Sequence, residues 1–170
     1  ALQLAEQGLS VALFDKGGRK GEHAAAYVAA AMLAPASEAV EATPEVIKLG
    51  RQSVPLWHNI RGRLKTPTMM QENGSLIVWH GQDKPLSSEF VRHLKRGGVA
   101  DDEIVRWRAD DIAEREPQLG GRFSDGIYLP TEGQLDGRQM LSALADALDG
   151  LNVPCHWEHE CIPDDLQAQY

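Results

Sequence analysis

Apolar positions along the chain recur in two rhythms, helical spacing over long stretches and short continuous runs at strand length, the mixture expected of an α/β protein. Ala1 to Gly8 sets Ala1, Leu2, Leu4 and Ala5 among polar neighbours. This is the pattern of the tail of an amphipathic helix, with Gly8 where a C-cap belongs. Ser10 to Asp15 is an apolar strand that ends on a carboxylate. Ala24 to Pro35 is rich in alanine and has almost no polar face, which predicts a helix buried all round or laid against something large and flat. Thr43, Pro44 and Glu45 supply an N-cap, a first-position proline and a first-turn acid. The helix they open carries Val46, Ile47, Gly50, Val54, Trp57, Ile60 and Leu64 at close to helical period, and Pro55 is expected to kink or break it.

The second half alternates more quickly. Gln71 to Gly74 reads as a turn and Ser75 to Trp79 as a strand. Leu86, Phe90 and Leu94 mark a helix that stops at Gly97 and Gly98. Ile104 to Trp107 is a strand, and Asp110 and Asp111 open a helix that ends at Pro117. Gly126 to Pro130 is the next strand. Asp136 then caps a helix over Arg138 to Leu148, whose apolar face is Met140, Leu141, Leu144, Ala145 and Leu148. Asn152 to Glu160 reads as one extended run.

The strand-end carboxylate brings in chemistry. A helix, a turn, an apolar strand and an acid resemble the second half of a nucleotide-binding β-α-β unit, where that acid accepts hydrogen bonds from ribose hydroxyls. Asp15 is equally the residue type of a strand-end turn, so both readings stand on this evidence alone. In such a unit the glycine fingerprint lies about 20 residues upstream of the acid. Counted back from Asp15 it falls before Ala1, and the expectation is a chain that begins inside its own cofactor motif.

Composition narrows the class. A chain of 170 residues has the length of one domain, with 25% charged and 42% hydrophobic residues, ordinary for a globular protein. A formal net charge of −8 argues against nucleic-acid or anionic-membrane surfaces, and no apolar run reaches the ~20 residues of a membrane span. Two cysteines do not make a disulfide scaffold, and the cytoplasm is the default compartment. Glu38, Glu41 and Glu45 read as a solvated helix start, because no histidine accompanies them at ligand spacing. In a straight strand Cys155, Trp157, His159 and Cys161 share one face and His156 points away. The two thiols then lie ~20 Å apart, too far for one metal or a disulfide, and only a sharp bend would bring them together.

Leu-Phe-Asp-Lys-Gly from Leu13, a basic glycine loop, and Ala-Ala-Met-Leu at Ala30 to Leu33 followed by Glu38 resemble the N-terminal region of FAD-dependent glycine oxidases. These belong to the D-amino-acid oxidase-like flavoproteins and are linked to thiamine (thiazole) synthesis. The resemblance extends through Asn73-Gly74, Glu116-Pro117 and the acid Asp136 before the last helix, so it covers the chain as the N-terminal portion of a longer enzyme. It implies a Rossmann-like, glutathione-reductase-type FAD-binding lobe over 1–70 and 136–170, and an α+β substrate lobe over 71–135.

By that resemblance the reaction is oxidation of glycine, another small amine or a D-amino acid to the imine and 2-oxo acid, with oxygen reduced to hydrogen peroxide. The implied partners are the amine and molecular oxygen, and a homo-oligomer is left open. Asp15 would hold the ribose hydroxyls with Lys16 beside it. Ala25 and Ala26 would offer backbone amides, and Ala30, Ala31 and Met32 would lie along the flavin. Main-chain groups near Cys161 would pass the adenine. No catalytic residue and no metal ligand is assigned, since the family's substrate-binding Arg and Tyr belong to its C-terminal half. An NAD-dependent dehydrogenase would share Asp15 but leave the alanine-rich segment unexplained. A non-catalytic remnant of the fold is the third reading.

Overall fold

The computed structural model describes residues 1–162, and these form two compact units. The first unit comprises 1–31, 59–69 and the chain from Leu135 onward; the second comprises 32–58 and 70–134. Residues 32–58, expected with the first unit, thus group with the second.

In the first unit, α1 (Leu2–Glu6) ends before Gly8, whose φ of +81° is the left-handed conformation that glycine adopts without a Cβ penalty. β1 (Leu13–Phe14) pairs in parallel with β8 (Cys155–His156), Leu13 opposite Cys155 and Phe14 opposite His156. The long helix α6 (Gly137–Gly150) buries Met140, Ala143, Ala145 and Leu148, and both α1 and the four-residue α2 (Ala25–Val28) pack on it. Gly137 permits one of these approaches, since a Cβ there would stand 2.8 Å from the carbonyl oxygen of Ala26. Asp136 caps α6 as expected, accepting from the Gln139 amide at 2.9 Å.

Two expectations in this unit are corrected. The alanine-rich run is not one buried helix. Only Ala25–Val28 is helical, Val28 and Met32 are exposed, and the run is buried only from Leu33. With no polar side chain to cap either end and four residues to its name, α2 has little to extend it: the chain turns extended at Ala29 and bends again at Ala31, where φ is 51°. Nor is Asn152 to Glu160 one strand: it is extended only at Cys155–His156 and turns back at Trp157–Glu158, where Glu158 has φ 56°.

The second unit is built on two small three-stranded arrays. β4 (Ser75–Val78), β6 (Asp125–Leu129) and β5 (Val105–Arg108) lie in the order β4-β6-β5, with Ile77 and Arg106 on either side of Ile127. β2 (Met32–Leu33), β7 (Gly133–Leu135) and β3 (Met70–Gln71) form the second, in the order β2-β7-β3. Period-two alternation on β6 sends Ile127 and Leu129 into a core with Ala36, Ala39, Ile47, Leu94 and Val99. The intervening Tyr128 stacks on Trp107 at 4.3 Å, a diagonal cross-strand pair with Arg115 over the indole. α4 (Lys84–Arg96) and α5 (Ala109–Arg115) stand close to their expected bounds.

α3 (Pro44–Arg63) is one continuous helix through Pro55, so of the expected kink or break the break does not occur. The proline removes one amide from the ladder. The Ser53 hydroxyl, two residues earlier, takes up the neighbouring Gly50 carbonyl at 2.6 Å.

Candidate functional site

The loop after β1 and the turn after β8 meet at the carboxyl end of β1. Asp15 follows that strand directly, and its amide donates to the His156 carbonyl at 3.0 Å, continuing the parallel ladder by one bond. The turn at Trp157–Glu158 then folds the chain back over this strand end: Glu158 N–H donates to the Gly17 carbonyl and His159 N–H to the Asp15 carbonyl, each at 2.9 Å. Carboxyl ends of parallel strands are where open α/β sheets take their ligands, because loops there are freed from the ladder.

The Asp15 side chain is held by its own loop. Oδ1 accepts from the Gly17 amide at 2.7 Å, an Asx turn, while no donor among the described residues reaches Oδ2. The carboxylate lies on the wall of a hollow of about 370 Å³, whose lining also includes Lys16, His23, His159 and Cys161. Phe14 forms an aromatic floor, 48% exposed, with His156 stacked on it at 4.5 Å and His159 tilted against it at 5.3 Å. Two carboxylates, Asp15 and Glu160, one ammonium and two imidazoles beside a flat ring suit a ligand that presents hydroxyls and a planar base.

Of the residues expected at a cofactor, Asp15, Lys16 and Cys161 share this hollow. Ala25 and Ala26 lie on exposed α2, and Ala30 and Ala31 on the bend that follows it, outside the lining. Ala31 has φ 51°, an uncommon conformation for a residue with a Cβ, and its carbonyl accepts from Leu135 N–H at 3.1 Å. Met32 begins β2 in the second unit and is 58% exposed. Arg19, in the basic glycine loop, is drawn away to α6, where it bonds Asp146 and Asp149 at 2.7 Å. Those hydrogen bonds raise the guanidinium's pKa and lower that of Asp146.

The bend that straight-strand geometry did not foresee brings His159 onto the same ring as His156, yet among the described residues no three His, Cys, Asp or Glu side chains group as a metal site. Cys155 and Cys161 are both free thiols. Burial, then the charge of Asp149, push the Cys155 thiol upward, with Arg19 opposing. No helix among the described residues is long and apolar enough to cross a membrane.

Two features of the architecture lay outside what residue patterns disclosed. His23 and His159 reach the hollow only through the loop after β1 and the turn just described. Glu132, in the second unit, is 1% exposed and satisfied entirely by protein donors. A lone acid in a short inter-strand turn carries no local sign of burial.

Comparison with known proteins bears on the whole chain. Residues 1–162 match the family model described as DAO, FAD dependent oxidoreductase. The chain is 34% identical over 149 residues to a protein of Rhizobium etli described as a putative thiamine biosynthesis oxidoreductase, ThiO; the match takes in 88% of this chain and 42% of that one. Among solved structures it resembles glycine oxidase from Geobacillus kaustophilus, with 22% identity, a TM-score of 0.76, and 92% of this chain against 42% of that one. Glycine oxidase from Bacillus cereus is similar at 19% identity and a TM-score of 0.75, with 92% and 41% covered. An L-α-glycerophosphate oxidase from Mycoplasma pneumoniae, solved with FAD bound, shares the fold at 11% identity and a TM-score of 0.68, with 92% and 41% covered. The chain therefore spans less than half the length of each of these proteins.

Proposed function

This chain belongs to the DAO family of FAD-dependent oxidoreductases, and we propose that it is the dinucleotide-holding part of an oxidase of glycine or another small amine. The observation that carries the reading is Asp15: a carboxylate at the carboxyl end of a parallel strand, with one oxygen pinned by its own loop and the other open beside a hollow. The residues fit the ribose end of FAD. Asp15 Oδ2 accepts from a ribose hydroxyl, Lys16 contributes positive charge beside it, and main-chain groups near Cys161 border the base. Along the mostly exposed run from Ala25 to Met32, side chains no larger than methyl at Ala25, Ala26, Ala30 and the half-buried Ala31 leave the backbone open to a flat partner.

When bound, FAD supplies the acceptor for a hydride from the substrate α-carbon and returns the electrons to oxygen as hydrogen peroxide. The substrate leaves as an imine that hydrolyses to the 2-oxo acid. This chain's own share is to bind, orient and exclude water; no acid–base pair is needed if the amine arrives neutral. On this reading the first unit is part of the FAD-binding domain and the second part of the substrate domain. The enzyme works in the cytoplasm, and the name of its Rhizobium etli relative supports a link to thiamine synthesis. The NAD-dependent alternative shares Asp15 and gives no role to the run ending at Met32.

The test is the visible spectrum of the intact reading frame, followed by anaerobic additions of glycine, sarcosine and D-amino acids. Bleaching of the flavin by one of them identifies the substrate class, and a colourless protein that FAD does not reconstitute refutes the reading in favour of a non-catalytic remnant. Asp15→Ala removes a charged acceptor worth roughly 1.5–3 kcal/mol, so FAD should bind about 10- to 100-fold more weakly by equilibrium titration. Unchanged affinity in that variant would remove the ribose assignment.

A further inference from the structure

Glu132 sits at the turn between β6 and β7 and is 1% exposed. Its Oε1 accepts from the amides of Ala36 at 2.7 Å and Ser37 at 2.8 Å, and its Oε2 from the Ser37 hydroxyl. No lysine or arginine among the described residues forms an ion pair with it. Burying a carboxylate without a cation is costly, and a side chain that merely filled this space would be apolar. What the charge adds is strength as an acceptor, directed at two consecutive backbone amides.

The backbone of Glu132 is itself fixed. Its carbonyl accepts from Gly74 N–H at 2.8 Å, and its neighbour Gly133 runs so close to β3 that a Cβ would stand 3.0 Å from the Glu72 Cα. The next residues pair with β2: Leu33 opposite Gly133 and Met32 opposite Gln134. The segment 32–37 is therefore tied at both ends to residues 132–134, by strand pairing at Met32–Leu33 and by the carboxylate at Ala36–Ser37. Met32 is the most exposed residue of this segment, with Leu33, Ala34 and Ala36 buried.

We propose that Glu132 is a positioning residue, whose carboxylate fixes the Met32–Ser37 segment and so sets where Met32 stands for the flavin. The claim about the flavin rests on the FAD reading above; the claim about the segment does not.

Two measurements separate them. Amide hydrogen exchange in Glu132→Ala should show Ala36 and Ser37 exchanging at least about tenfold faster, with Met32 and Leu33 also faster and α6 unchanged. In Glu132→Gln the amide oxygen still accepts both backbone donors, and its NH₂ donates to a turned Ser37 hydroxyl, so exchange should return to within about twofold of the parent. FAD titration should follow the same order: about tenfold weaker binding in Glu132→Ala, the loss typical of outer-shell partners, with rescue in Glu132→Gln. If Glu132→Ala does not fold, Ser37→Ala decides, with an expected loss of about threefold in FAD affinity and faster exchange confined to 32–37. Unaltered exchange at Ala36 and Ser37 overturns the anchoring. Altered exchange with unaltered FAD binding overturns the role at the flavin. A parent chain that takes up no FAD sinks the cofactor reading, and with it the role at the flavin, while the exchange comparison still decides the anchor.

Discussion

Gly74→Ala probes the second unit at the point where backbone geometry and aromatic packing meet. Gly74 has φ +78°, and a Cβ there would lie 2.6 Å from Cζ and 2.7 Å from Oη of Tyr128. The left-handed conformation costs a residue with a Cβ about 1–2 kcal/mol. The ring cannot yield freely, because Tyr128 stacks on Trp107 at 4.3 Å and its hydroxyl donates to the Asn73 carbonyl at 2.9 Å. Displacing it forfeits the stack, about 0.5–1.5 kcal/mol, and much of a hydrogen bond of similar worth. The sum is about 3 kcal/mol. In a Tyr128→Ala background the steric part vanishes and only the conformational part should remain. Urea unfolding of parent, both single variants and the double variant, followed by tryptophan fluorescence, should therefore give a coupling of about 1–2 kcal/mol. Equal costs of Gly74→Ala in the two backgrounds, within about 0.5 kcal/mol, would refute the claim that the tyrosine ring enforces glycine here.

Asp136→Ala should lower stability by about 1 kcal/mol in the same unfolding assay, since it leaves the Gln139 amide at the start of α6 without its acceptor, while Asp136→Asn should cost much less. Glu103 gives a pH signature. Partial burial pushes its carboxyl upward, but the Ala100 amide and the Arg51 guanidinium, at 2.8 and 2.9 Å from its two oxygens, together hold it below the usual range. A folded-state pKa below the unfolded one means stability that is present above the unfolded value of about 4.3 and lost as pH falls through the folded value. Glu103→Gln should thus cost about 1 kcal/mol at pH 7, discounted for the half-exposed arginine, and the difference should close in strong acid. A gap that persists there would point to packing instead.

Periodicity located nearly every long element because each rests on a local cause. α3, α4 and α6 begin or end at residues whose chemistry dictates a cap or a turn: Pro44, Gly98 at φ +81°, and Asp136. The stripe of buried Ile47 and half-buried Gly50, Val54, Trp57 and Ile60 on α3 was legible for the same reason, although Val46 is 56% exposed and Leu64 falls just past the helix end. The failures came where the decision is made by distant residues. The alanine run has strong helix propensity, yet Met32–Leu33 is claimed by pairing with Gly133–Gln134, a hundred positions away, and propensity alone is worth too little to oppose it. The extended run after Asn152 turns at Glu158 because the amides there bond the Gly17 and Asp15 carbonyls. Glu132 was invisible for the converse reason, since its partners Ala36 and Ser37 carry no sign of it.

The two readings of Asp15, as turn residue and as ribose acceptor, turn out not to compete. A strand-end aspartate free in solvent samples several rotamers, and holding it for a ligand would cost side-chain entropy at the moment of binding. Here the Gly17 amide takes Oδ1 at 2.7 Å, and the turn over Glu158–His159 bonds the main chain on either side. The structural bond thereby prepays the ordering that the functional bond requires. It follows that Asp15→Asn and Asp15→Ala should differ in kind. Asparagine keeps an Oδ1 for Gly17 and offers an NH₂ where Oδ2 stood, which preserves the turn but reverses the hydrogen bond that a ribose hydroxyl would make. Alanine loses both. If FAD affinity falls by about the same factor in both variants while only Asp15→Ala disturbs exchange at Gly17, the outward oxygen is the ligand. If Asp15→Asn binds FAD as the parent does, the carboxylate serves the turn alone.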